Sequence, residues 1–399
     1  MSTEMIARGE ADARVTGRRR ALVPLLVVTG LVVLIQLYVS IPLQQPVAAD
    51  LGDAGVTAAL ASGYALCYAA GFLVYGPLSD HFGRRPLLVI GLATLTIATL
   101  GVGLAPSLSV LGVLRAVQGA AAATFAPTAL AFLGEALPQG RRTSAIGAMS
   151  VAFLAAGIIG QLGAAGIGET VGWRWTFYLS GAILGCLTLA TFALVDEPTV
   201  ERPPQRLLAR YAALLRFALR PRSIVLSAGH LVVLGGFVGM YTLLGPHLTA
   251  AGLTATEIMA VRGLALPAMC CSLLLGPLVS QLGPVRTVLT GFSIAAAGLL
   301  NEAALSHSLV GLTAASIGFV AGIAVLVPLM ITLWGQAAPP TRGIGMAING
   351  FVLFLGAGLG PYATLLPGDF AWALTIIAAL YLVAAALVVV AIRQRPGTS

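Results

Sequence analysis

The sequence predicts an all-α membrane protein in which twelve transmembrane helices form two six-helix pseudo-repeats. Three observations carry that expectation. The chain is 58% hydrophobic and only 9% charged, with a mean hydropathy of +0.97, which leaves too few polar residues to clothe a water-soluble domain of 399 residues. A fixed offset of 200 residues then relates the two halves: Gly76, Pro77, Leu78 and Gly83 recur as Gly276, Pro277, Leu278 and Gly283. The same offset pairs Pro46 with Pro246, Gly52 with Gly252, Arg142 with Arg342 and Gly160 with Gly360, as expected of a duplicated membrane unit. Finally, all 22 basic residues are arginine, and 19 of them fall on alternate connections. That asymmetry fixes orientation by the positive-inside rule and puts both termini in the cytoplasm.

A crossing needs about 20 apolar residues, and the hydropathy pattern places twelve in order. Span 1 covers 21–44; it is too long for a signal-peptide core, lacks a small-residue cleavage pattern, and is read as retained. Spans 2 to 6 follow at 57–77, 87–105, 108–135, 143–167 and 174–195. Spans 7 to 12 lie at 223–249, 256–279, 285–306, 309–336, 343–366 and 370–392. The expected organisation is a cytoplasmic tail (1–20), an N-terminal half (21–195), a linker (196–222), a C-terminal half (223–392) and a second tail (393–399). Within the linker, 206–220 has helical periodicity. Arg206, Arg210, Arg216 and Arg220 gather on one side, opposite a largely leucine face, as in a basic helix at the cytoplasmic interface.

Composition also excludes chemistries. Without lysine there is neither a Walker A loop nor a Schiff-base lysine. The four cysteines (Cys67, Cys186, Cys270, Cys271) sit inside spans without metal-ligand spacing. The histidines (His81, His230, His247, His307) are scattered, and neither H-E-x-x-H nor G-x-S-x-G occurs. An enzyme, a bound metal and an organic cofactor are therefore not expected. The +8 net charge reports topology and requires no nucleic acid.

Residues 76–85, GPLSDHFGRR, match the pattern G-x-L-[AS]-D-x-x-G-[RK]-[RK] through Gly76, Leu78, Ser79, Asp80, Gly83, Arg84 and Arg85. On this motif, at the cytoplasmic end of span 2, the chain resembles the major facilitator superfamily over essentially its whole length. The resemblance implies a conformational latch between the halves on the cytoplasmic side, formed by Gly76, Asp80, Gly83, Arg84 and Arg85 with Glu135 at the end of span 4. An anion such as Asp80 suits a helix N-terminus, and it could also pair with Arg84. In the second copy Ser280 replaces the acid, so the latch is asymmetric.

Arg115, with Gln118 and Gly119, resembles the family's span 4 signature R-x-x-Q-G, which implies proton coupling. A membrane-embedded arginine costs free energy unless it faces a partner or a cavity, and one beside a carboxyl tunes its proton affinity. No acid lies within 21–47, so the titrating group stays open among Asp50, His230 and Glu302. The span 5 antiporter signature G-x8-G-x3-G-P-x2-G-G is only partly matched: Gly147 and Gly160 align, while Ala156, Gln161, Ala164 and Ala165 stand at other signature positions. Gly157 and Gly163 keep the small-residue track, and a Gly-Pro pair stands instead at Gly360–Pro361, so helix contacts are expected at these glycines. Spans 1, 4, 7 and 10 line the centre by resemblance, which offers Gln36, Tyr38, Phe125, Tyr241, Thr242 and Trp334 as substrate contacts. Several aromatics and few charges suit a lipophilic or weakly polar ligand. The implied function is proton-coupled efflux by alternating access, from a monomer in a bacterial inner membrane whose partners are a small molecule, protons and lipid. Proton-coupled uptake of a metabolite and a non-transporting receptor on a carrier fold are the alternatives.

Overall fold

The computed structural model describes residues 21–198, 207–337 and 342–394. Arg206, the first tail (1–20) and residues 395–399 of the second lie outside them. Nearly everything described is helical. Eleven helices are long and apolar enough to cross a membrane, and one of them, Thr256–Ala304, spans 49 residues. At about 1.5 Å per residue that is length for two crossings, and the chain breaks its helical course at Gly283, φ 75° and ψ 165°. Spans 8 and 9 thus follow one another through an α-helix, Ala255–Gly263, a 3-10 segment, Leu266–Leu274, and a helix, Leu275–Ala304, that turns at Gly283, and among the described residues the crossings number twelve. The expected separate segments merged because the bend at Gly283 and Pro284 is too tight to need a loop.

The pseudo-repeat is visible in the backbone. Gly52 and Gly252 carry φ of 105° and 87°, and Gly83 and Gly283 carry 101° and 75°. These are left-handed conformations that residues with a Cβ avoid, so the offset of 200 preserves turn geometry as well as letters. The first pair closes spans 1 and 7; the second turns the chain between spans 2 and 3 and between spans 8 and 9.

Side chains sort as a lipid solvent demands. Ile97, Val113, Leu189 and Val310 are 73%, 65%, 70% and 81% exposed, whereas buried polar groups such as Gln118, His230 and Glu302 turn inward. Between helices, small residues permit backbone approach. A Cβ on Gly298 would lie 2.5 Å from the Phe319 amide nitrogen, and one on Gly322 would lie 2.6 Å from that of Ala295, so spans 9 and 10 touch main chain to main chain.

The halves meet along spans 2 and 11, where Ser62 Oγ donates to the Gly358 carbonyl at 2.8 Å and Phe354 packs edge-on against Tyr68, centroids 4.5 Å apart. Spans 5 and 8 also touch, through Gly166 against Met259 and Gly263 against Leu162. The linker helix, Leu207–Ala218, lies close to the expected 206–220. Its Tyr211 hydroxyl donates to the Val74 carbonyl of span 2 at 2.9 Å, while Phe217 packs on Trp334 of span 10 with centroids 6.3 Å apart.

Candidate functional site

Span 4 begins at Leu108 with Ser107 as its N-cap, the hydroxyl accepting from the Val110 amide. Two turns later Arg115 is fully buried. Its Nε donates to the Leu60 carbonyl at 2.7 Å, and its Nη1 donates to the Gln36 carbonyl at 3.0 Å and to Gln118 Oε1 at 2.7 Å. The guanidinium also lies 4.3 Å from the centre of the Tyr64 ring. Leu60 belongs to a π-helical turn, Ala58–Ser62, the kind of helix defect that offers a carbonyl to a side chain. Gln118 Nε2 in turn donates to Gln36 Oε1 at 3.2 Å and to Thr99 Oγ1 at 2.8 Å. One arginine and one glutamine therefore tie together spans 1, 2, 3 and 4. Gly119 is what lets them do so, since a Cβ there would run into the Tyr64 carbonyl of span 2. The sequence left the titrating partner of Arg115 open. Among the described residues no carboxylate oxygen lies within 4 Å of it; the ion pairs are elsewhere, and dipoles and a ring meet the charge instead.

At the inner end Arg84 is buried and pairs with Glu135, Nη2 to Oε1 at 2.7 Å, while its Nη1 donates to Ser79 Oγ. Gly83 ends span 2 and stands at the N-cap position of span 3. The free amides behind it are taken by a residue the sequence reading passed over: Glu197 accepts from the Arg84 and Arg85 amides at 2.8 and 2.7 Å, an anion on a helix N-terminus. Arg85 lies over Phe192 and donates to its carbonyl at 3.0 Å. Asp80 falls in the last turn of span 2, with its side chain outside the described residues. A Cβ at Gly76 would meet nothing within 4 Å.

The three candidate proton carriers occupy different surroundings. Asp50 stands past the membrane-crossing part of span 1, where it accepts from Arg174 and from the Trp173 indole, the latter at 3.0 Å, and its side chain is 43% exposed. The Arg174 hydrogen bond, followed by that from Trp173, holds its carboxyl below the usual value. His230 is fully buried, with Nδ1 accepting from Trp334 Nε1 at 3.1 Å and Nε2 without a partner. Glu302 is also fully buried: Oε1 accepts from Ser316 Oγ at 2.8 Å, and Oε2 has no partner.

Of the expected substrate contacts, Gln36 is committed to the Arg115 network. Tyr38 faces Phe237 across the halves, centroids 6.2 Å apart, and Phe237 faces Tyr241 at 5.0 Å. Thr242 donates to the Val238 carbonyl at 2.8 Å, Phe125 packs near Gly30, and Trp334 joins His230. Between the halves, Leu37, Tyr38, Ile41, Ala65, Val238 and Ala357 surround a cavity of only about 10 Å³. A wider cavity of about 350 Å³ opens among Gln44, Asp53, Thr57, Tyr362 and Thr364; none of the six expected contacts lines it. The glycines divide too. Gly157 lies beside Tyr38 and Phe237, Gly160 beside Ile35, and Gly360 against Val238 and the Gly235 carbonyl, whereas a Cβ on Gly147 or Gly163 would meet nothing within 4 Å. Those two correct the expected contact track: both sit on exposed parts of the span 5 helix.

The sequence profile of the Major Facilitator Superfamily matches residues 25–270. The chain belongs to that superfamily. Within it, the chain is 28% identical to Multidrug resistance protein 3 of Bacillus subtilis over 161 residues, which is 40% of this chain and 31% of the relative. It is 30% identical to the Tetracenomycin C resistance and export protein of Streptomyces glaucescens over 169 residues, 41% of this chain and 30% of the relative. The matched stretches thus span less than a third of those relatives' own lengths. A bacterial homologue of the human lysosomal transporter Spinster, solved in an inward-facing and occupied conformation, superposes with a TM-score of 0.70. It is 18% identical and covers 96% of this chain and 99% of its own. As a superfamily member the chain is a multi-pass membrane protein.

Proposed function

We propose that this transporter exports a small lipophilic or weakly polar compound from a bacterial cytoplasm in exchange for protons, by alternating access. The observation that carries the reading is the chemistry where the halves meet. Tyr38, Phe237, Leu37, Ile41, Val238 and Ala357 converge there without a charged side chain, a lining that suits an apolar ligand and would leave the hydroxyls of a sugar unpaired. Resistance and export proteins among the relatives support the outward direction. Arg115 and its dipole network supply a fixed positive charge inside the membrane, of the kind that a coupling ion senses. At the inner end, Arg84, Glu135 and Asp80 form the latch, with both termini on that side. Each half keeps its internal hydrogen bonds, and rocking exchanges only the contacts between halves.

The test is accumulation of a panel of fluorescent lipophilic compounds in bacteria deleted for their own pumps. Cells expressing the wild type accumulate less than cells expressing Asp80→Asn, and a protonophore abolishes the difference. Equal accumulation in all arms overturns the export reading.

A further inference from the structure

Span 11 ends in a 3-10 turn, Gly360–Leu365. Across from it, the end of span 1 and the start of span 2 close the cavity of about 350 Å³ that the proposed function does not use. Small-molecule sites usually measure about 300–1,000 Å³. Both halves wall this one: Gln44, Asp53 and Thr57 come from the first, Tyr362, Thr364 and Leu365 from the second. A carboxylate, an amide and hydroxyls stand here beside apolar surface, unlike the seam between Tyr38 and Phe237.

The wall lacks partners of a particular kind. The Thr57 hydroxyl donates to Gln44 Oε1 at 3.0 Å and so fixes the amide, which leaves Gln44 Nε2 as a buried donor with nothing to bond. Native interiors rarely leave such a group orphaned. Asp53 is carried on a turn between Gly52 and Gly55, φ 105° and 90°, conformations that residues with a Cβ avoid. It is the one charged side chain among the described residues that line the cavity. Arg174 is committed to Asp50, three positions earlier, and to the Ala105 carbonyl. Among the described residues the Asp53 carboxylate thus has no ion-pair partner. The Thr364 hydroxyl donates to the Pro361 carbonyl at 3.2 Å, so Thr57 and Thr364 have only acceptor capacity to offer. Tyr362 and Leu365, 39% and 77% exposed, add a ring and an aliphatic side chain. The complement of this wall is a cation that also carries an oxygen acceptor and an apolar body.

We propose that the cavity is a binding site for a small ammonium compound bearing a carbonyl oxygen and an apolar group. The ammonium sits by Asp53, where the anion and the Tyr362 ring both attract a cation. The carbonyl oxygen accepts from Gln44 Nε2, with a small turn of the amide, and the apolar group lies against Tyr362 and Leu365. Such a ligand touches both halves at once. The site is separate from the Tyr38–Phe237 seam and does not depend on the direction or the coupling of transport.

Titration calorimetry of the full chain in lipid nanodiscs tests this without any transport measurement. The probe is phenylalanine methyl ester, at mildly acidic pH where its amine is charged. The wild type binds it. Methyl 3-phenylpropanoate, which lacks the ammonium, and phenethylamine, which lacks the carbonyl, each bind at least about fivefold more weakly, as expected for one lost polar contact. Asp53→Asn and Tyr362→Ala, at exposed positions on opposite halves, melt with the wild type when unliganded and each weaken the probe about fivefold. No binding by the wild type, equal binding of methyl 3-phenylpropanoate, or full affinity in either variant overturns the proposal. Full affinity in Asp53→Asn together with loss in Phe237→Ala would instead put the probe in the seam.

Discussion

Two charged residues near the outer side behave differently because their solvents differ. Asp50 is close to water and is held below the usual carboxylate value by its hydrogen bonds from Arg174 and then Trp173. A depressed folded value means that the pair's stabilisation is present above the unfolded carboxylate's 3.8 and is lost as pH falls through the folded value. The melting-temperature difference between wild type and Asp50→Asn should therefore be small, constant near neutrality, and vanish below that range; a difference that grows on acidification contradicts the pairing. Arg115 has no such escape. Its truncation in Arg115→Ala strands the Leu60 and Gln36 carbonyls and Gln118 in the interior, and each buried unpaired group costs about 1–3 kcal/mol. Arg115→Ala should thus melt earlier and lose pH-driven flux in proteoliposomes, while Arg115→Lys, whose single ammonium nitrogen cannot span acceptors that Arg115 reaches from Nε and Nη1, keeps part of both. Unchanged coupling in Arg115→Ala would leave the residue a packing role only.

Helices are decided by what touches their small residues, and position on the helix matters more than membership of a motif. Gly119 approaches the Tyr64 main chain, whereas a Cβ at Gly147 would meet nothing within 4 Å. Gly119→Ala should cost about 1–3 kcal/mol by forcing spans 2 and 4 apart, and Gly147→Ala should stay within about 0.5 kcal/mol of wild type. Thermal unfolding in detergent separates the two. Sequence reasoning could rank neither glycine, because contact across helices depends on rotation about the axis and an all-apolar span gives no periodicity from which to read it. The same limit explains which site residues were legible. Arg84 with Glu135, and Arg115 with Gln118, announce themselves as charges or amides at fixed depths in apolar segments. Thr99 looks like any small span residue, and Glu197 looks like a linker acid 113 positions from the amide it caps. Arg262 was visible as one of three arginines outside the topology set.

For the whole molecule the sequence was most informative, since an offset of 200 residues and twelve apolar stretches prescribe repeat and crossing number before any packing is known. What they leave open is how the halves touch. Spans 2 and 11 approach closely enough that a Cβ on Gly358 would lie 3.2 Å from that of Ala65, near the separation a disulfide requires. In Ala65→Cys/Gly358→Cys, oxidation should cross-link the halves and stop ethidium flux, and reduction should restore it. Full flux in the cross-linked protein would mean that this seam stays shut throughout the cycle and that the halves move about it.

The short helix between the halves, Leu207–Ala218, has a mechanical corollary. Tyr211 grips span 2 and Phe217 grips span 10, so a single stiff rod is pinned to both halves at points six residues apart, about 9 Å along its axis. A rod cannot stretch. Any stroke that widens the distance between those pins must detach one of them, and the weaker pin acts as a ratchet tooth that sets how much thermal agitation the stroke requires. Tyr211 holds by one hydroxyl and Phe217 by a buried ring face, so the helix should ride with the second half and let go of the first.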